Sequence, residues 1–173
     1  LAGTMTAAVK DGDRQTAAFW NPENIAIDKN GVIYVTDHAV AGANTGDYCI
    51  RKINEKGDVT TIKEGAANWI IRYPRGLACD AAGNLYVCCN ASHCVRKINP
   101  AGMITTFAGQ CDKTVLNSVY KEGPVNTAVL TTPGGIAIAK NGDVYISDPR
   151  LHRIIKIATN KVTTVTGAGK LTC

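Results

Sequence analysis

Apolar and polar residues alternate over short runs along the whole chain, and Gly, Pro, Asn or Asp interrupts every run. No window keeps a 3.6-residue apolar period, so helices are not expected, and the alternation predicts short half-buried strands. The pattern recurs. Residues 22–37 (PENIAIDKNGVIYVTD), 74–89 (PRGLACDAAGNLYVCC) and 133–148 (PGGIAIAKNGDVYISD) align without gaps, from Pro to Gly to Tyr. Each is followed by a basic-apolar run: CIRKI at 49–53, CVRKI at 94–98, RIIKI at 153–157. Each unit closes on a Thr-rich run: VTTI at 59–62, ITTF at 104–107, VTTV at 162–165.

Each unit therefore reads as four strands rich in β-branched residues and Tyr, separated by turns. Asn30-Gly31 and Asn141-Gly142 read as type I′ hairpin turns, in which both central residues take positive φ. Four-stranded units repeated at this spacing are the signature of propeller blades. The blades are expected at about 20–65, 73–109 and 132–167, in a single segment spanning 1–173.

These repeats resemble the NHL family. The residues that carry the likeness are the Pro-x-x-Ile/Leu-Ala opening, the Gly-x-Ile/Leu/Val-Tyr-Val/Ile strand, Asp37 and Asp148 at its end, and the Arg-Lys-Ile strand. The resemblance implies an all-β fold, a β-propeller of NHL type with three four-stranded antiparallel blades. It also implies six blades in a full ring, and binding of proteins, RNA or small ligands, with amidating lyases among the few enzymes. Three blades cannot close a ring, and their end faces would expose surface built for burial. A second chain, neighbouring chains or further sequence should cover those faces. The chain begins at Leu1 and is read as a processed or partial product.

In a four-stranded meander the second turn and the blade-to-blade link share one face. The first and third turns are tight, whereas the long connections at 4–21, 38–48, 66–73 and 110–132 all fall on that face. Such a bias marks a binding face. Candidate binding residues there are His38, Asp47, Tyr48, Arg72, Arg75, Asp112, Lys113, Lys121, Arg150 and His152. Two links match each other without gaps, residues 10–19 and 121–130, so an ordered, packed link is expected, with Phe19 and Leu130 plugging the gaps between blades.

No catalytic constellation stands out. His38, His93 and His152 fall near second turns of different blades at no metal-motif spacing, and Asp11-Gly-Asp13 lacks the oxygen ligands of a calcium loop. Neither a cofactor nor a metal is implied. The formal net charge of +5 is mild, and the long-loop face mixes Lys and Arg with Asp and Glu, which argues against a phosphate footprint. Apolar residues make up 45%, with mean hydropathy −0.04 and no membrane-length apolar run. With Phe 2, Trp 2 and Tyr 6, the core falls to Val, Ile, Leu and Ala.

Seven Cys in a chain of this size point to an oxidising compartment. A zinc site built on Cys88, Cys89, His93 and Cys94 lacks a second matching pair. In the repeat alignment Asp148 matches Cys89 and Arg153 matches Cys94. The family-like pattern is an acid and a base paired across the hairpin, and the middle blade replaces both with Cys. A turn at 90–93 would set Cys89 and Cys94 opposite each other, within disulfide range, so a Cys89–Cys94 disulfide is expected. Cys88 should face the other way, and the pairing of Cys49, Cys79, Cys88, Cys111 and Cys173 stays open. Asn90-Ala-Ser92 is a glycosylation sequon in that turn.

The reading is a non-catalytic extracellular scaffold, a secreted glycoprotein presenting long loops to a protein or glycan partner and prone to self-association. The alternative is an intracellular NHL module binding RNA or protein. A propeller enzyme of amidating-lyase type comes third.

Overall fold

The computed structural model describes residues 2–38, 48–62, 71–111 and 120–167. Asp47, Asp112, Lys113 and Cys173 lie outside the described residues. Three antiparallel sheets match the three repeats. The first holds β1 (Pro22–Ile27), β2 (Ile33–His38), β3 (Tyr48–Ile53) and β4 (Val59–Ile62) in that order. The second holds β5 (Pro74–Cys79), β6 (Leu85–Cys89), β7 (Cys94–Ile98) and β8 (Ile104–Gly109). The third runs β10 (Ile136–Ile138), β11 (Val144–Asp148), β12 (Arg153–Ala158) and β13 (Lys161–Thr166), with β9 (Gly123–Pro124) added beyond β13. The first strands, β1, β5 and β10, lie side by side as the innermost strands.

Turn chemistry sets the hairpins, though not as the Asn-Gly pairs suggest. Positive φ falls on Gly31 (76°) and Gly142 (87°), while Asn30 and Asn141 keep negative φ. The first of these turns is built on Asp28, whose carboxylate accepts the Asn30 and Val32 amides. Asp80 does the same for Ala82 and Asn84. These Asx turns hold the loop and leave one left-handed position, which Gly fills without strain. The two-residue turn with both φ positive is Thr159-Asn160 (46° and 62°), between β12 and β13.

Pleating sends alternate side chains to opposite faces of each blade. In β6, Leu85, Val87 and Cys89 pack toward Tyr34, Ile50 and Leu77. Tyr86 and Cys88 pack toward Val144, Ile146 and Ile155 of the third blade. Every β6 residue is thus buried. Cys88 lies in the second junction as expected, fully buried, and burial pushes its thiol pKa well above the ordinary value. The innermost strands meet backbone to backbone at the second junction, where the Gly76 amide donates to the Gly134 carbonyl. A Cβ on Gly76 would lie 2.5 Å from that oxygen, so the site requires Gly.

The two end faces are open. Ile50 and Val95 are 1% and 0% exposed, whereas Ile154, at the same repeat position in the last blade, is 37% exposed. On the first blade Ile25 is 68% exposed, against 7% for its counterpart Leu77.

The links before the first and third blades are ordered and built alike. Lys10 and Ala18 exchange backbone hydrogen bonds, as do Lys121 and Val129. Gly12 bridges Val59, and Gly123 bridges Val162, so each link adds a pairing to the outer strand of its blade. Leu130 is fully buried between the second and third blades. Phe19, its counterpart at the open end, stays half-buried beneath the Arg51 guanidinium, 5.0 Å from its ring centroid.

A buried carboxylate locks each of these links. Asp37 accepts the Trp20 and Asn21 amides and pairs with Arg51 at 3.1 Å, both side chains being 0% exposed. Arg51 also donates to the Ala18 and Lys10 carbonyls and pairs with Asp11. Asp148 accepts the amides and hydroxyls of Thr131 and Thr132 and the Leu151 amide. The acid–base pair expected across the third hairpin is not made. Asp148 and Arg153 stand opposite each other, but Asp148 is occupied by the link, and Arg153 lies over the Tyr120 ring at 4.4 Å.

The disulfide is also a correction. Cys89 and Cys94 are register partners, but Cys94 bonds Cys111, with Cα atoms 5.2 Å apart. The reason lies on the other side of β7, where Cys94 pairs with Gly109. Gly109 takes φ 88°, and a Cβ there would meet the His93 carbonyl at 2.7 Å. Its missing side chain lets the chain turn tightly and bring Cys111 against Cys94. Cys89 directs its Sγ to the Val87 carbonyl at 3.8 Å.

Both ties can be tested. Burial alone would raise the Asp148 pKa, but hydrogen bonds from Thr131, Thr132 and Leu151 hold it below the ordinary carboxylate value. Its stabilising contribution is therefore complete above the unfolded pKa of about 3.9 and is lost as pH falls through the lower folded value. Asp148→Asn should cost about 1–3 kcal/mol at pH 7 and flatten the acid limb of a Tm–pH profile; a variant with unchanged Tm and limb would contradict the lock. Non-reducing peptide mapping should recover a Cys94–Cys111 cross-link. Cys111→Ser should lower stability by about 3 kcal/mol on the chain-entropy account; a Cys89–Cys94 peptide from the native protein would contradict the assignment.

Candidate binding face

The middle blade lacks the carboxylate lock, because Cys89 stands where Asp37 and Asp148 stand in the other blades. Its link is tied differently: the Asn90 amide donates to the Tyr73 carbonyl. Tyr73 takes φ 50°, an uncommon conformation for a side chain of this size, and precedes the buried Pro74 that opens β5. That conformation sets its ring beside the first blade.

A continuous stack results. His38, at the end of β2, stacks on Tyr48, at the start of β3, with centroids 5.4 Å apart. Tyr48 meets Tyr73 at 4.7 Å, tilted by 59°. Arg75 lies over the Tyr73 ring at 4.8 Å and donates to its hydroxyl at 3.1 Å. Contacts of this kind are each worth about 0.5–1.5 kcal/mol and fix ring orientation. The His38 ring lies within hydrogen-bond reach of the Asn21 side-chain amide and 3.6 Å from Glu23. A narrow crevice beside the stack is lined by Glu23, Thr36, Asp37, His38, Tyr48 and Pro74.

The structure thus gathers three of the candidate residues, His38, Tyr48 and Arg75, and adds Tyr73, Glu23 and Asn21. The other described candidates lie as follows. Arg72 is exposed one residue before Tyr73. Lys121 serves the backbone bridge of its link, and Arg150 is exposed beside Thr132 at the third blade. His152 takes φ 52° and borders a depression of about 310 Å³ on the open face, with Asp148, Arg153 and Ile154. Tyr73 carried a readable signal, since an aromatic stands directly before the repeat Pro in the blade whose second strand ends on Cys rather than Asp.

Other candidates resolve into structural roles. Asp13 accepts the Gln15 and Thr16 amides and the Thr16 hydroxyl, and these hydrogen bonds hold its pKa below the ordinary value. Burial would raise the Asp11 pKa, but bonds from Thr61 and Arg51 hold it low. Both acids of the Asp11-Gly-Asp13 run thus serve the link. Asn90 opens a 3-10 turn as a half-buried residue and points its side-chain amide at the Pro133 carbonyl, 3.5 Å away, while Ser92 is buried. The sequon is therefore less open than a surface turn would make it. Cys79 is half-buried, which raises its thiol pKa to about 11. Among the described residues no group of three or more His, Cys, Asp or Glu is placed to hold a metal, and no helix is long and apolar enough to cross a membrane.

The NHL repeat matches residues 72–98, the middle copy. No curated protein matches the chain. Among solved structures, a Bacteroides thetaiotaomicron VPI-5482 protein of unknown function is similar at TM-score 0.68 and 21% identity, over 87% of this chain and 36% of that one. Virginiamycin B lyase from Staphylococcus aureus is similar at 0.58 and 20%, over 87% and 42%. A chain of the nidogen/laminin complex is similar at 0.58 and 15%, over 85% and 48%. The chain therefore spans less than half the length of each of these structures. At these identities the likeness is one of fold. The chain is a β-propeller segment of three four-stranded blades whose middle blade carries an NHL repeat.

Proposed function

We propose that this chain is a binding scaffold that works outside the cell, presenting its long-loop face to a protein or glycan partner. The observation that carries the reading is the His38–Tyr48–Tyr73–Arg75 stack. It joins the paired ends of β2 and β3 in one blade to the residues that enter the next. Aromatic side chains and Arg are the groups that dominate binding hot spots. The Cys94–Cys111 disulfide fits an oxidising compartment. The similar nidogen/laminin structure is itself a complex of two proteins. The open end faces belong to an assembly of more blades than three, because the same repeat positions are covered inside the chain and bare at its ends.

Two experiments test the reading. On arrays of extracellular proteins and glycans, a hit should weaken about tenfold or more in Tyr73→Ala, the loss of an anchor worth at least about 1.4 kcal/mol. Asn30→Ala and Asn141→Ala, in the tight turns of the opposite face, should leave it unchanged; equal loss there would place binding elsewhere. By light scattering at micromolar concentration, the 173-residue chain should run above its monomer mass of 18.3 kDa. A stable, folded monomer would overturn the role of the end faces as interfaces.

A further inference from the structure

At the mouth formed by the innermost strands, the residue directly after each repeat Pro differs in every blade. It is Glu23 in β1, Arg75 in β5 and Gly134 in the third blade. Glu23 and Arg75 are both exposed, on strands that pack side by side. The Glu23 carboxylate lies against His38. The Arg75 guanidinium is held by the Tyr73 ring and hydroxyl and pairs with no carboxylate among the described residues. One of its donors is used by the Tyr73 hydroxyl, and the residue is exposed. A guanidinium so held is preorganised for a carboxylate, which it can meet with two parallel hydrogen bonds. The carboxylate nearby favours a ligand that also donates hydroxyl hydrogens and disfavours a dense polyanion. Gly134 leaves that third position without a side chain.

We propose that this mouth binds an acidic sugar, a pyranose bearing one carboxylate, with Arg75 taking the carboxylate and Glu23 accepting from ring hydroxyls. The assignment rests on the scaffold reading and names its ligand class. Tyr73 acts as a positioning residue, holding Arg75 through its ring and hydroxyl.

The test titrates the 173-residue chain with a hyaluronan hexasaccharide, in which glucuronate alternates with an acetylated amino sugar, and with neutral chitohexaose. The hyaluronan hexasaccharide should bind about tenfold or more tighter, the gain expected of a charge-assisted hydrogen-bond pair. Arg75→Gln should abolish that preference, and Arg75→Lys should keep only part of it, because an ammonium cannot form the fork. Tyr73→Phe, which keeps the ring and removes the hydroxyl, should weaken the acidic ligand alone. Equal binding of both sugars, an unchanged preference in Arg75→Gln, or no binding of either would overturn the proposal. An array hit that is lost in Tyr73→Ala but kept in Arg75→Gln would overturn the acidic-sugar assignment and leave the scaffold reading standing.

Discussion

A carboxylate buried at the end of the second strand organises this chain. Asp37 and Asp148 each turn inward and accept the backbone amides of the link that enters their blade. A buried carboxylate is tolerated only where hydrogen bonds or a countercharge replace its water. The two sites meet that demand differently. Asp37 takes Arg51 as a fully buried countercharge; removing one member of such a pair typically costs about 3–5 kcal/mol, because the other is left buried and charged. Asp148 is surrounded by neutral donors from Thr131, Thr132 and Leu151, so its loss falls in the smaller range for neutral hydrogen bonds. Either way the link becomes part of the blade. Its Gly then reaches the outer strand, and its apolar residue reaches the space between blades.

Absence of the carboxylate reshapes the middle blade. Cys89 cannot accept several amides, and it packs into the first junction instead. The Tyr73 carbonyl, rather than a side chain, ties link to turn. Tyr73 accordingly adopts a left-handed backbone, and its ring reaches Tyr48 of the neighbouring blade. The stack of rings that forms the candidate site is thus a consequence of one missing acid. The Cys94–Cys111 disulfide staples the same blade.

Much of this was legible in the residues. The Pro–Gly–Tyr spacing placed the strands, and the match of 10–19 to 121–130 anticipated two links with the same backbone bridges. Alternation in the β6 run Leu85-Tyr-Val-Cys-Cys89 anticipated that Cys88 and Cys89 face different junctions. What failed depended on contacts far apart in sequence. Opposition across a hairpin suggested Asp148 with Arg153 and Cys89 with Cys94, and both pairs are register partners. Both have better-placed partners from the links, Thr131 and Thr132 in one case and Cys111 in the other. Register is a local property of a hairpin, whereas the path of a link over the blade is not. The turns failed for a simpler reason: Asn-Gly fits more than one turn type, and the Asp28 side chain decides between them at the first hairpin.

The central claim is that the links are as firmly held as the strands. Native-state amide hydrogen exchange measures this directly, because it reports the free energy of opening residue by residue. The Asn21 and Thr132 amides, which donate to Asp37 and Asp148, should exchange only with the opening of β2 and β11 themselves. Exchange of those two amides at the rate of an unprotected loop, with β2 and β11 still protected, would contradict it.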